Sequence, residues 1–166
     1  MVSIELYHIS MENNDGVIFE PRVPLHRMNG EDPVTDRVCF APTIEGALKA
    51  IDLLPYNEFL PEVFFFVHMP VNVLELINDG AIYEPSEGEV PDVKETGEVW
   101  CMEPVEMRCV SFAHAYYHQS KGIVVEDIYT DPDPRMSIEE LIGRYRMEDK
   151  YNELGFENED SERYTF

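Results

Sequence analysis

The sequence predicts a single α+β domain, and three observations carry the prediction. Runs of β-branched and aromatic residues recur along the chain, over 63–69, 107–116 and 122–129. Two segments show helical spacing behind an N-cap residue, one opening at Thr43 and one at Ser137. At 166 residues, with 44% apolar and 28% charged side chains, the chain has the size and balance of one folded domain. No internal repeat or linker divides it. Residues 1–155 are assigned to the domain, and 156–166 to an acidic, frayed tail.

The elements follow in order. Val2, Ile4, Leu6 and His8 alternate with Ser3, Glu5, Tyr7 and Ile9, which predicts a first strand over 2–9 with His8 ending a core-facing row. Residues 11–36 are rich in Asn, Asp, Gly and Pro and predict a long loop, either a lid or a disordered segment, with strand character only over 16–19. Arg37-Val38-Cys39-Phe40-Ala41 predicts a short buried strand. Thr43 then opens a helix whose Ile44, Ala47, Leu48, Ile51 and Leu54 share a face, with Pro55 as its stop.

The apolar run 63–69 predicts a strand buried on both faces, and a helical turn over 72–77 closes on Asn78-Asp79-Gly80. Residues 85–97 combine prolines, glycines and carboxylates and predict a solvated loop. Strands are expected over 98–103, 107–116 and 122–129. Ser137-Ile138-Glu139-Glu140 has the pattern of a capping box, opening a helix to Gly155 that buries Ile138, Leu141, Ile142 and Tyr145.

Charge limits the partners. With 34 acidic against 12 basic side chains, the formal net charge is -22 at pH 7. A field of that sign repels phosphate backbones, so direct nucleic-acid binding is not expected, whereas a basic protein partner is suited. No stretch approaches the ~20 apolar residues of a membrane span, and no basic-then-apolar leader opens the chain. Three cysteines without a short pairing pattern predict a reducing, cytoplasmic setting. Cys101, Cys109, His114 and His118 lack the close-pair spacing of a zinc site, and Asp131, Asp133 and Glu139 lack the order of a calcium loop, so no metal is expected.

Three segments resemble, in order, the motifs of a known fold. Leu6-Tyr7-His8-Ile9-Ser10 resembles the His-Gly-Ser/Thr strand of ADP-ribosyltransferase-like domains of the His-Tyr-Glu branch, which includes diphtheria toxin, poly-ADP-ribose polymerases and RNA 2'-phosphotransferases. Arg37 to Pro42, leading into Glu45-Gly46-Ala47-Leu48, is similar to that family's second motif, a strand entering a helix of small residues. Gly97-Glu98-Val99-Trp100-Cys101-Met102 is similar to the third, a strand beginning with the catalytic glutamate. The resemblance covers about residues 4–103 and implies split mixed or antiparallel sheets with flanking helices.

It also implies NAD, or an NAD-derived nucleotide, as substrate. His8 would anchor a ribose hydroxyl and Glu98 would stabilise a cationic ribose, while Ile9 and Ser10 would present backbone to the nicotinamide amide. Cys39 stands where the family carries a stacking tyrosine, with Phe40 beside it, and Ile9 replaces the glycine after the histidine. Residues 21–30 hold Arg22 and Arg27 and no acid, the one basic island of the first hundred residues. Arg22 and Arg37 are thus candidates either to bond phosphate or to pair with Asp32 and Asp36. The resemblance is to a divergent, phage-encoded member of the family. The competing expectation is an acidic, non-enzymatic inhibitor or adaptor, of viral counter-defence or nucleic-acid-mimic type, steered by charge onto a basic protein surface.

Overall fold

The computed structural model describes residues 4–154, and the expected tail at 156–166 lies outside them. Twelve elements follow in the order β1 (His8–Ser10), β2 (Ile18–Phe19), β3 (Val38–Phe40), α1 (Ile44–Ala50), β4 (Glu62–Pro70), α2 (Val73–Asn78), β5 (Ile82–Tyr83), α3 (Val93–Thr96), β6 (Val99–Cys101), β7 (Val105–His118), β8 (Gly122–Thr130) and α4 (Ile138–Glu153). They build two antiparallel sheets. The larger runs β1-β4-β7, with β2 and β8 both pairing β7; the smaller runs β3-β6-β5. Tyr7 and Ala41 join the sheets by exchanging backbone hydrogen bonds of 2.8 and 3.0 Å.

The β4 run is buried on both faces because each face meets a helix. Phe65 and Val67 pack with Ala47 and Leu48 of α1, whereas Phe64 and Phe66 pack with Leu141 of α4. Ile138, Ile142 and Tyr145 close over the second cluster, and the Ser137 hydroxyl caps α4 by accepting from the Glu140 N–H at 3.2 Å. A third cluster, built on Leu6, Val38, Phe40, Cys101 and Met107, fills the space beneath the smaller sheet.

Three local expectations change. Among the described residues the first strand begins at His8, and before it only Tyr7 makes a bridge; residues 2 and 3 of the expected strand lie outside them, and Leu6 and Ile9 are both buried, in different clusters. Helix α1 stops at Ala50, short of Leu54. Asp52 takes a left-handed φ of 58°, the Asp52 N–H donates to the Lys49 carbonyl at 3.0 Å, and the Leu53 N–H donates to the Leu48 carbonyl at 2.9 Å. This paired closure turns the chain out before Pro55 is reached. Finally, 85–97 is not a wholly solvated loop: Val90 and Thr96 are buried, and the segment winds into α3.

Candidate functional site

A pocket of about 450 Å³ opens where the two sheets part. His8 and Ser10 of β1 form one wall, Val38 and Cys39 of β3 another, and Glu98 closes the end. The loop after β2 covers it with Arg22, Pro24, Leu25, His26, Met28 and Glu31. Six of the eight expected site residues therefore line one cavity: His8, Ser10, Arg22, Arg37, Cys39 and Glu98. Ile9 and Phe40 do not; their side chains alternate into the core, Ile9 beneath α1 and Phe40 beneath the smaller sheet. The side chain of Ile9 consequently stays out of the pocket. Two other grooves, of about 510 and 500 Å³, contain none of the eight.

His8 is fixed by both sheets. Its Nδ1 lies 3.1 Å from the Cys39 carbonyl, which can only accept, so the proton sits on Nδ1 and Nε2 keeps a lone pair. Burial lowers its pKa and favours this neutral ring. Phe19 meets the ring edge-on at 5.1 Å. Behind it, His68 faces His8 across the β1–β4 register and is wholly buried. The Asn14 N–H donates to His68 Nε2 at 2.9 Å, and Asn14 Nδ2 donates to Ser10 Oγ at 3.1 Å. Burial and the neighbouring His8 push the His68 pKa down to about 4, against opposing pulls from the His8 backbone and Asp15.

Glu98 is placed by glycines. Gly97 ends α3 with φ 70°, and a Cβ there would lie 2.8 Å from the Pro42 ring. In α1, a Cβ on Gly46 would collide with the Thr96 carbonyl. Close backbone approach of α1 to α3 thus sets where the chain enters β6. Only 6% of Glu98 is exposed, and its Oε1 accepts from the Trp100 indole N–H at 2.8 Å. Burial raises the carboxyl pKa, while bonds from Trp100 and from the Cys39 thiol, and the charge of Arg37, hold it down. The Cys39 thiol is pushed well above its usual range by burial and then by Glu98, and so stays protonated.

Arg37 corrects the expectation of a phosphate anchor. Its guanidinium, fully buried, bonds Glu31 at 2.7 Å and donates to the carbonyls of Thr35 and Asp32 at 2.9 and 3.2 Å. It also lies over the Trp100 ring, 4.2 Å from the centroid. Its own loop consumes its charge. The Asp32 carboxylate is 3.9 Å away, so the alternative pairing is realised, with Glu31 as the closer partner. Arg22 is different: it is exposed and makes no ion pair or side-chain hydrogen bond among the described residues, only a backbone bridge to Arg37. Arg27 does not line the pocket; it folds back onto the Pro24 carbonyl at 2.6 Å.

Trp100, Glu31, Asn14 and His68 are supports that the sequence reading passed over. His68 carried a signal, since a lone histidine inside the apolar run 63–69 needs a partner when buried. Among the described residues no group of three or more His, Cys, Asp or Glu side chains is arranged to hold a metal ion, and no helix is long and apolar enough to cross a membrane. No protein family, curated protein or solved structure matches the chain.

Proposed function

We propose that this protein is ADP-ribosyltransferase-like in fold and binds NAD, or a nucleotide derived from it, in the pocket beneath the 20–31 loop, transferring ADP-ribose from it. One observation carries the reading: His8 and Glu98, far apart in sequence, line one cavity with Arg22 at its side. The lone pair of His8 Nε2 accepts from a ribose hydroxyl. The Glu98 carboxylate stabilises positive charge developing on the ribose as nicotinamide leaves. Arg22, uncommitted among the described residues, bonds the pyrophosphate. The backbone of Ile9 and Ser10 holds the carboxamide. Two antiparallel sheets parting at the site are in keeping with the split-sheet arrangement that the resemblance implies.

Calorimetry with NAD and with ADP-ribose tests binding, and nicotinamide release from wild type and Glu98→Gln tests chemistry. Binding by neither ligand at about millimolar concentration overturns the reading.

The net charge of -22 favours a second reading, an acidic adaptor that occupies a basic protein surface. It predicts no nucleotide binding and a partner affinity that falls steeply with salt. The three cysteines are unpaired, which supports a reducing, cytoplasmic compartment under either reading.

A further inference from the structure

Glu98 is the one acidic side chain classed as buried among the described residues, and burial alone favours a neutral carboxyl. The groups facing it are few. The Trp100 indole N–H donates at 2.8 Å, the Cys39 thiol of β3 lies close enough to act on it, Arg37 acts as a cation, and Glu31 opposes with negative charge. The bond from Trp100 works only while the indole keeps its orientation.

A closed circuit of contacts fixes that orientation. Arg37 covers the ring at 4.2 Å on one side, and Tyr83 packs on it at 5.6 Å between centroids. Arg37 is held by Glu31 at 2.7 Å, and the Tyr83 hydroxyl donates to Glu89 at 2.7 Å. The circuit closes through the backbone, where the Asp32 N–H donates to the Glu89 carbonyl at 2.8 Å. The loop that roofs the pocket is thereby tied to the indole that holds the carboxylate.

We infer that Arg37 is a positioning residue: clamped by Glu31 and the carbonyls of its own loop, it holds Trp100 so that the indole N–H stays bonded to Glu98 and keeps its carboxyl facing the pocket. For turnover this rests on the nucleotide reading above; for the state of Glu98 it does not. A cation acting only through its charge would need neither the close approach to the indole ring nor the fork of bonds to the loop.

The test follows the side-chain carboxyl ¹³C shift of Glu98 against pH, assigned by difference from Glu98→Gln, with no nucleotide present. Trp100→Phe keeps a ring under Arg37 but removes the donor, and its titration midpoint rises by about one pH unit. Arg37→Lys keeps the charge but loses the planar face, and its midpoint also rises. In the double variant the two rises add to less than their sum, because both act through one indole. An unmoved midpoint in Trp100→Phe or Arg37→Lys, or strict additivity, overturns the inference. Where Arg37→Lys does not fold, Glu31→Ala decides by sign. Loss of a nearby negative charge lowers the midpoint if electrostatics alone operates, and loosening of Arg37 raises it if the clamp does. When NAD turns over, the acid limb of the pH–rate profile moves up in the same variants. Failure of NAD to bind leaves the carbon titration intact, so the two ideas fail separately.

Discussion

The Nδ1–H of His8, in the larger sheet, donates to the backbone carbonyl of Cys39, in the smaller one, at 3.1 Å. This bond adds a side-chain link to the Tyr7–Ala41 bridge between the sheets and leaves Nε2 as the imidazole nitrogen that can accept. Changing His8 is expected to lower nicotinamide release from NAD. His8→Ala loses the acceptor and reduces turnover by at least about tenfold, while circular dichroism shows the fold retained. Equal rates in His8→Ala and wild type would remove His8 from the site.

Acid should loosen the domain through the histidine pair. His68 has a folded pKa of about 4, below its ordinary 6.5, so above pH 6.5 both folded and unfolded forms are neutral and its contribution is complete. Between those values the unfolded chain takes up a proton that the folded chain refuses, and stability falls with pH. Integrated over the window, the loss is about 3 kcal/mol. Burial lowers the His8 pKa as well, which adds loss in the same direction. Urea unfolding of wild type and His68→Gln between pH 7 and 4.5 measures it: the variant, whose amide oxygen still accepts from the Asn14 N–H, shows a shallower decline.

Two glycines in helices should respond with opposite signs. A methyl at Gly46 meets the Thr96 carbonyl, so Gly46→Ala destabilises by about 1–3 kcal/mol and displaces Glu98. At Gly143, exposed on α4, no atom lies within 4 Å of the added methyl, so Gly143→Ala stabilises by about 0.5–1 kcal/mol. Denaturant midpoints decide both, and a destabilised Gly143→Ala would contradict the helix placement.

Arg22 should be silent in folding and loud in binding. As an exposed side chain without an ion pair among the described residues, Arg22→Ala shifts stability by less than about 0.5 kcal/mol. Its affinity for ADP-ribose falls about tenfold, with a weaker dependence on salt. Calorimetry at two ionic strengths reports both effects.

Patterning in the chain anticipated most of the elements, because two-sided burial of 64–68 and the Ser137 cap are local or periodic properties. The end of α1 was not legible, since a left-handed Asp52 competes with an apolar repeat that continues to Leu54. Nor was α3, whose Thr96 carbonyl packs against Gly46 of α1, far away in sequence. In the site, His8, Cys39 and Glu98, the residues that the resemblance picks out, line one cavity. For Arg37 the residues leave two roles open, because a cation near a loop can serve a ligand or the loop itself, and only the distance to Glu31 decides. Trp100 was seen as a strand residue; that its indole would reach back two residues to Glu98 follows from the pleat once the strand is known.

The segment before α1 is stitched to strands made much later. His8 pairs opposite His68, and the Asp15 carboxylate accepts from the Cys109 N–H across 94 residues of sequence. Contacts so far apart close large loops, and each carries an entropic cost that local contacts do not. The pocket wall that carries His8 is therefore only as firm as its pairing with β4, and loosening that strand is expected to open the cavity.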